Sequence, residues 1–450
     1  MTPPSMTAPA GASERAVALT SAQAEHRFLL LTATRWFPVG LVFGLTVLLP
    51  LERGFTLAQV GLLLSIQGFV VLVLELPTGG LADVLGRRPL LIVSGVIAVA
   101  STGLILFAQQ FWMFALAMIL QGVFRALDSG PLEAWYVDAM HVDAAHAPNE
   151  NNSEERHSIE RGLSRASVTL GAAIASGALL GGVVVAWHPF GEWSALALPF
   201  AVTMVLYAAH TVLLGVLVKE PQRRSRRPRS TRGLGSVTDA LRRAPRTILL
   251  GVRALRGSPV LLCLVLVEVF WSVAMIAFET LTPVQLADQL GGEDAAAAVF
   301  GPADAAAWAL FAAGAMLAAV VSTRFGVART AMAARVLNGL FVVAMGVAAG
   351  PVGLLIGYGL AYLSHGSAGP MHSALLHREA TPANRALVLS MNSMVSGGAY
   401  SLGLLVLTPL AGATSPGLAL VVAGAFSVLG VFLYLPARRR ELQWQAASLG

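Results

Sequence analysis

The sequence is poor in charged residues, cysteine and lysine, and each shortage excludes a class of protein or activity. Charged side chains make up 12% of the 450 residues, whereas a soluble globular chain carries about 25%, so a soluble globular protein is excluded. The single cysteine, Cys263, excludes a disulfide within the chain. The single lysine, Lys219, is not in the Gly-x-x-x-x-Gly-Lys-Ser/Thr pattern that binds nucleotide phosphates, so we expect no ATP-driven activity.

Apolar residues are abundant instead. They make up 56% of the chain and give it a mean hydropathy of +0.71. They form twelve stretches close to the length of about 20 residues that a spanning helix needs, which predicts an all-α integral membrane protein with twelve transmembrane helices. We number these spans one to twelve in chain order, at about 28–50, 57–78, 89–108, 111–136, 163–186, 194–218, 259–281, 303–321, 329–348, 352–374, 386–410 and 417–435.

The basic residues lie almost entirely on one side of the predicted spans. With the N-terminus in the cytoplasm, Arg53 is the only basic residue on an outward segment, and Arg35, Arg125 and Arg335 fall within spans. An excess of arginine on cytoplasmic loops predicts that both termini are cytoplasmic. The formal net charge of +6 is therefore explained by membrane topology, and we predict no binding to nucleic acid.

A glycine- and arginine-rich segment joins spans two and three. Residues 79–90 read Gly-Gly-Leu-Ala-Asp-Val-Leu-Gly-Arg-Arg-Pro-Leu, which predicts a tight cytoplasmic turn. Gly79 and Gly86 permit close approach or a positive φ, and Asp83 can accept hydrogen bonds from the N-terminus of a neighbouring helix. The two arginines that follow Gly86 hold the turn on the cytoplasmic side.

This segment resembles the loop between helices two and three of the major facilitator superfamily, Gly-x-Leu-Ala-Asp-Arg-x-Gly-Arg-Arg, although Val84 stands where the family usually has a basic residue. The segments 75–79, 129–138 and 382–390 also resemble bacterial twelve-helix facilitators, many of them drug or metabolite exporters. The resemblance implies two pseudo-symmetric six-helix bundles. It also implies a gate in which Asp83 bonds the start of span eleven near Arg385, with the gating residues Gly79, Asp83, Gly86, Arg87, Arg88 and Arg385.

An internal repeat supports two halves. The segment Ser322–Arg329, between spans eight and nine, repeats the glycine and arginine positions of the first loop, with Thr323 in place of its acid. We predict a cytoplasmic tail at 1–27, a first bundle at 28–218, a basic cytoplasmic linker at 219–258, a second bundle at 259–435 and a cytoplasmic tail at 436–450. We expect amphipathic helices of the linker to rest on the inner leaflet; the alternative is a docking site for a partner or anionic lipid.

Ionisable groups inside the predicted spans are candidates for function, because each costs a few kcal/mol in hydrocarbon. They are Arg35, Glu75, Arg125, Asp128, Glu133, Glu268, Glu279, Asp304, Arg335, His365 and His372. The resemblance implies that spans one, four, seven and ten line a central cavity. Helical spacing places on common faces Gln121, Arg125 and Asp128; Glu268, Trp271, Met275 and Glu279; and Tyr358, Tyr362 and His365. Such mixed faces suit an amphipathic organic molecule.

Alternatives exist for several of these groups. Arg125 and Asp128 are three residues apart, so they can simply neutralise each other. Asp304 and Glu279 fall near the outer interface, where we expect them to be hydrated. Glu133 and Glu268 have no basic residue three or four positions away. A carboxyl group without a partner in an apolar setting can take up and release a proton near neutral pH, so we predict that at least one of these two carries a proton.

Metal and enzyme chemistry find little support in the sequence. His141, His146 and His157 lie in a polar loop whose spacing fixes no coordination geometry, so we predict no metal and no cofactor. No nucleophile–base pair has a persuasive spacing, so we predict that the chain is not an enzyme. A receptor on the same fold remains an alternative.

We therefore predict a monomeric secondary transporter that works by alternating access in a bacterial cytoplasmic membrane. Its predicted activity is proton-coupled export of a small amphipathic organic compound, a drug or metabolite; the alternative is proton-coupled or facilitated import of a small polar nutrient. The predicted pathway residues are Arg35, Arg125, Asp128, Glu133, Glu268, Trp271, Tyr358, Tyr362 and His365. Two positions depart from proton-driven exporters of the family: Met118 stands where many have arginine, and Ala178 where they have proline.

Overall fold

A computed structural model describes residues 19–144, 152–191, 193–219, 246, 248–381 and 384–447. The side chains at 76–84, 144, 152–157 and 386 are outside this description. The described residues form helices joined by short turns and contain no strand. The predicted all-α membrane fold is confirmed.

The helices follow the predicted spans in order. Spans one to six are Ser21–Leu41 with Leu45–Glu52, Leu57–Leu85, Arg87–Phe107, Phe111–Asp128 with Pro131–Ala144, Asn152–Trp187 and Ala197–Leu217. Spans seven to twelve are Pro259–Ile276 continued by Ala277–Leu281 and Thr282–Leu290, then Glu293–Phe325, Val327–Val347, Pro351–Glu379, Arg385–Ala413, and Pro416–Leu429 continued by Gly430–Tyr434. A final helix, Leu435–Ala447, follows span twelve.

Eleven of these helical segments are long and apolar enough to cross a membrane within the part of the chain that the structure describes. Span ten is the exception among the twelve predicted spans. At 29 residues it is long enough, but its tyrosines, serines and histidines lower its hydropathy. Many of these polar side chains are buried inside the protein. They therefore contact other helices and not the lipid.

Three spans that carry ionisable groups are interrupted. Span one breaks at Gly44 and span four at Gly130, with φ values of +78° and +92° that favour glycine. Pro131 then begins the second helix of span four, a position where its missing N–H costs nothing. Span seven contains a π-helical segment, Ala277–Leu281. Such segments are frequent at functional sites because they redirect side chains locally.

The first six spans pack mainly on one another, and so do the last six. Span one packs against spans five and six, and span three against spans four and six. Span ten packs against spans eight and nine, and span eleven against span seven. Most contacts between the sets are made by two pairs, span five with span eight and span two with span eleven, and span one adds smaller contacts with spans seven and eight. The predicted domain boundaries stay a prediction, since most of 219–258 lies outside the described residues.

The end of that linker differs from the prediction. Residues 248–256 are helical. Leu255 belongs to the buried core of the second set, and Val252 packs against it. Gly251 lies so close to Met391 of span eleven that a Cβ atom would be 2.5 Å from its sulfur. This part of the predicted surface helix therefore packs on protein, because spans seven and eleven offer an apolar groove there; residues 220–245 and 247 are outside the described part.

Small residues form the contact between spans five and eight. A Cβ atom on Gly301 would lie 2.4 Å from the carbonyl oxygen of Ala178 and 2.7 Å from the Cα atom of Gly182. Nearby, Phe43 of span one stacks on Phe300 of span eight with ring centres 6.4 Å apart. All of these residues lie in the half of the bundle away from the termini. The two sets therefore pack backbone to backbone at that end.

Contacts between spans two and eleven are closest in the same half. Gly61 faces Thr408, and the Ser65 hydroxyl donates to the Ser401 carbonyl at 2.8 Å. Nearer the end that carries the termini, a Cβ atom on Gly398 would lie 3.7 Å from Leu72 Cδ2, an ordinary contact distance. The closest of the described contacts between the two sets therefore lie at the end away from the termini.

The predicted loop at 79–90 is much shorter than expected. Span two stays helical through Leu85, and Gly86 alone separates it from span three. The apolar residues after Gly80 continue the helix, and only Gly86 supplies the required turn, with φ +89° and ψ 155°. Gly326 makes the same one-residue turn between spans eight and nine, with φ +85° and ψ 158°. The two copies of the repeat therefore have the same backbone turn.

Replacing Gly326 with alanine is expected to lower the free energy of unfolding by about 1–3 kcal/mol, because its φ and ψ lie in a region that only glycine adopts without strain. Denaturation of the purified chain in mixed micelles, followed by helical circular dichroism, measures the change. Gly257→Ala is the matched control, since Gly257 also ends a helix but has no positive φ. Equal stability of the two variants would contradict the assignment of strain to Gly326.

Candidate functional site

A buried ion pair joins spans one and four. Arg35 Nε lies 2.5 Å from Asp128 Oδ2, and the two side chains are 6% and 13% exposed. The Arg35 guanidinium also stacks over the ring of Phe124 at 4.2 Å. The alternative that Arg125 and Asp128 neutralise each other is therefore wrong. Packing of span one against span four gives Asp128 a closer cation than its own helix does.

Arg125 is left exposed inside the bundle. It lies one turn before Asp128 on span four, and its side chain is solvent-accessible. Within the described part of the chain it forms no ion pair or hydrogen bond. Its electrostatic neighbours are Arg35 and Tyr207 in its own set, and Glu279 and Tyr400 in the other. Arg125 therefore faces the space between the two sets.

Glu279 faces that space from span seven. It lies in the π-helical segment and is half-buried. The Tyr400 hydroxyl of span eleven donates to its Oε2 at 3.3 Å, and the Thr280 hydroxyl is 3.3 Å from the same Tyr400 oxygen. Tyr400 therefore holds Glu279, and Thr280 in turn positions the Tyr400 hydroxyl. Glu279 is half-buried, so the expectation that it is hydrated stays a prediction.

Asp304 is more deeply enclosed than expected. Its side chain has no exposed surface, and the Tyr358 hydroxyl donates to its Oδ1 at 2.7 Å. Its Oδ2 and the nearby Trp308 Nε1 have no hydrogen-bond partner among the described residues. The expectation of a hydrated Asp304 is wrong, because spans eight and ten pack tightly around it.

Aromatic rings of spans seven, eight and ten form a continuous wall beside Glu279 and Asp304. Tyr362 lies 4.9 Å from Tyr358 and 5.3 Å from Phe278 between ring centres. His365 lies 4.4 Å from Trp271, in a stacked arrangement. We call this the aromatic wall; it consists of Trp271, Phe278, Trp308, Phe311, Tyr358, Tyr362 and His365. The wall brings together four of the predicted pathway residues.

Glu268 is not without a partner, contrary to the prediction. Its Oε1 lies 3.1 Å from His372 Nε2 and 3.7 Å from Arg335 Nη2. The Arg335 guanidinium lies 3.8 Å from the centre of the Trp271 ring, and the Tyr434 hydroxyl is 2.9 Å from His372 Nδ1. These partners come from spans nine, ten and twelve, so the spacing along span seven could not indicate them. Arg335 and His372 were visible in the sequence only as isolated ionisable groups in spans.

Glu133 lies outside the buried part of the bundle, so its predicted apolar setting stays a prediction. Its side chain is exposed, in the first turn of the helix Pro131–Ala144. The break at Gly130 separates this helix from the part of span four that carries Arg125 and Asp128. The structure therefore does not bring Glu133 together with the other predicted pathway residues.

The predicted gating residues are only partly described. Arg87 forms an ion pair with Asp138 at 2.5 Å and also bonds the Ala134 carbonyl, and Arg88 bonds the Gly215 carbonyl. Arg385 is exposed at the first turn of span eleven. The surroundings of Gly79 and the side chain of Asp83 lie outside the described part, so the predicted bond from Asp83 to span eleven stays a prediction.

An acidic side chain from the final helix lies at the second copy of the loop. Glu441 of the final helix accepts hydrogen bonds from the backbone N–H groups of Val327 and Ala328, both at 3.0 Å, and pairs with Arg378 at 3.0 Å. This carboxylate therefore caps the N-terminus of span nine. The sequence showed only that Thr323 had replaced the acid of the first copy, because the residue that supplies the charge lies more than a hundred positions away.

The described residues contain no group of three histidine, cysteine or acidic side chains able to hold a metal ion. His146 and His157 of the candidate cluster lie outside the described side chains, and His141 is exposed.

Comparisons with known proteins agree with this architecture. The family model described as Major Facilitator Superfamily matches residues 28–311. Among solved structures, the nucleoside transporter NupG is similar with a TM-score of 0.70 and 12% identity, over 92% of this chain and 98% of that one. A bacterial homologue of the human drug peptide transporters PepT1 and PepT2 is similar with a TM-score of 0.65 and 15% identity, over 94% and 100%.

A third structure, from a study of proton dependent oligopeptide transporters, is similar with a TM-score of 0.66 and 14% identity, over 93% of this chain and 100% of that one. At these identities the likeness shows the fold alone. A comparison with curated protein sequences found no match.

Proposed function

Because the chain belongs to the major facilitator superfamily, a family of membrane transporters, we propose that it is a proton-coupled secondary transporter of a small amphipathic organic compound. It works by alternating access. The observation that carries this proposal is that Arg125 of the first set is exposed and has Glu279 and Tyr400 of the second set as electrostatic neighbours.

The packing of the spans supports alternating access. The contact of Gly182 with Gly301, and that of Ser65 with Ser401, close the end away from the termini. The same residues are small enough to separate without leaving large side chains unpacked. Two sets of helices that meet at one end can rock about a central site and expose it to each side in turn.

Buried acids support proton coupling. Ionisable groups inside a membrane protein are expensive, and they mark ion and proton pathways. Glu279 is half-buried, and Asp304 and Glu268 are buried within the second set. We propose that proton uptake occurs among these three acids. The predicted role of Glu133 loses support because that residue is exposed elsewhere.

The direction of transport has two candidates. Export in exchange for protons follows from the resemblance to bacterial exporters. Uptake together with protons is favoured by one observation: an exposed arginine faces an acid across the interior. A proton that neutralises the acid would free the arginine for an anion, so proton and substrate would move in the same direction.

The location follows from the arginine distribution. We propose a bacterial cytoplasmic membrane with both termini in the cytoplasm, and a monomer as the functional unit.

Replacing Glu279 with glutamine is expected to abolish accumulation driven by a pH gradient while exchange of labelled for unlabelled substrate continues, because the variant still alternates but cannot carry the proton. Flux is measured in proteoliposomes with compounds selected by a thermal-shift screen, with the gradient imposed in either direction. Asp294→Asn, an exposed acid at the far end of the bundle, is the control. Undiminished gradient-driven accumulation by the Glu279 variant would contradict its role as proton carrier.

A further inference from the structure

We propose that Arg125 is the binding site for the anionic group of an aromatic organic anion, and that the carboxylate of Glu279 competes with this anion for Arg125. This inference rests on the proposed transport function and names its substrate class. It assigns the anion to span four, the aromatic ring to spans eight and ten, and the coupling to the opposite charges of Arg125 and Glu279, which interact electrostatically without an ion pair.

The first step is the missing partner of Arg125. A cation inside the membrane region is retained only with compensation by an opposite charge or by water. The nearest acid on its own helix, Asp128, is already bound to Arg35 at 2.5 Å. Arg125 itself is exposed and has no ion pair within the described part of the chain. The guanidinium group therefore presents its donors to whatever enters the interior, and its planar fork suits carboxylate or phosphate.

The second step is the charge balance around Arg125. Arg35 and Arg125 contribute two positive charges, and Asp128 and Glu279 contribute two negative charges when both are ionised. When Glu279 binds a proton, this set keeps one positive charge, which an organic anion would neutralise. Anion binding and proton binding therefore favour each other, because both relieve the same imbalance.

The third step is the set of groups that face Glu279. Tyr400 of span eleven donates to it at 3.3 Å; Arg125 of span four, Asp304 of span eight and Tyr362 of span ten interact with it electrostatically. Arg125 is the one cation among them. Asp304 is a second acid, but the Tyr358 hydroxyl holds it within the aromatic wall. Glu279 is therefore the acid that competes with the anion for Arg125.

The fourth step concerns the aromatic wall, which indicates the chemistry of the rest of the ligand. The wall lies in the second set of spans, and Arg125 lies in the first. Tyr362 connects the two regions, because it packs on Phe278 at 5.3 Å and interacts electrostatically with Glu279. Trp271, Phe278, Tyr358 and Tyr362 are buried, whereas Trp308, Phe311 and His365 are partly exposed. A flat aromatic acid would place its ring against these three partly exposed side chains and its charge on Arg125, so it would bridge the two sets.

The test is binding of matched probes to the purified full-length chain by titration calorimetry. The probes are 1-naphthoate, benzoate and phenylphosphonate as anions, with 1-naphthamide and 1-naphthylmethylamine as the neutral and cationic partners of the first. We expect at least one anion to bind more tightly than its neutral partner, and more tightly in mildly acidic than in mildly alkaline buffer. Arg125→Gln should weaken anion binding by about 10- to 100-fold, the contribution of a hydrogen bond to a charged group.

Further variants separate this role from a structural one. Arg125→Lys should retain the preference for the anion with a smaller loss, because it keeps the charge but not the planar fork. Glu279→Gln should bind the anion tightly in both buffers, whereas Asp304→Asn should keep the dependence on pH. Arg439→Gln, an exposed arginine of the final helix, should leave binding unchanged.

The proposal is overturned if none of the three anions binds, if 1-naphthamide binds as tightly as 1-naphthoate, or if Arg125→Gln leaves anion binding intact. These results concern ligand recognition alone. Failure of the proposed transport function would appear separately, as the absence of any gradient-driven flux in proteoliposomes, since the calorimetric assay needs no gradient.

Discussion

Replacing Arg35 with glutamine is expected to lower the free energy of unfolding by about 3–5 kcal/mol, the cost of leaving one partner of a buried ion pair alone. Asp128 would have no cation within bonding distance, because Arg125 points into the interior instead. The variant also loses the stacking of the guanidinium on Phe124. Denaturation in mixed micelles, followed by helical circular dichroism, measures the loss.

The matched control is the double variant Arg35→Gln with Asp128→Asn. It removes both charges and leaves two amides of similar size, so we expect it to recover most of the lost stability. Arg439→Gln should stay within about 0.5 kcal/mol of the wild type, as exposed substitutions usually do. A single Arg35 variant as stable as the wild type would show that the pair contributes nothing to the fold.

Replacing Gly301 with leucine is expected to abolish transport, because the two sets of spans could no longer close at the end away from the termini. The added Cβ atom alone would lie 2.4 Å from the Ala178 carbonyl oxygen and 2.7 Å from Gly182. Both neighbours are backbone atoms, so no side-chain rotation can relieve the clash. Transport that must alternate would stop in the conformation open at that end.

Spin labels measure this directly. Labels near Arg53 and Gly292, which lie at the end away from the termini, should report a longer distance in the Gly301→Leu variant than in the wild type. Cys263 is first replaced by serine so that the labels attach only at the chosen sites. Gly191→Leu is the control, since Gly191 has no neighbour within 4 Å. Normal flux together with an unchanged distance would remove Gly301 from the closing contact.

Both predictions concern contacts between spans. The sequence-based interpretation succeeded instead on features that are local to one segment. Apolar stretches and the arginine distribution predicted the helices in their correct order, because each property is local to a segment. The repeat around Gly86 and Gly326 was also readable, since a turn of one glycine needs only its immediate neighbours. The length of the turn at Gly86 was overestimated, because the apolar residues before Gly86 continue the helix.

The sequence predicted the residue types of the site but not the contacts between them. The faces of spans four, seven and ten were predicted from helical spacing, and the structure places Trp271, Tyr358, Tyr362 and His365 in one aromatic wall. Partners were not predictable in this way. Glu268 had no basic neighbour in sequence, yet His372 and Arg335 reach it from spans nine and ten. Arg125 shows the opposite case. The sequence suggested Asp128 as its partner, but Asp128 forms its ion pair with Arg35.

The sequence by itself determined that this chain is a bundle of membrane helices with two related halves, because hydropathy, arginine placement and turn glycines act over short distances. Only the tertiary structure decided which charges are neutralised and which remain available. Helices distant in sequence cross at particular depths, and each crossing sets the distance between an acid and a base. That arrangement leaves Arg125 and Glu279 facing each other across the interior.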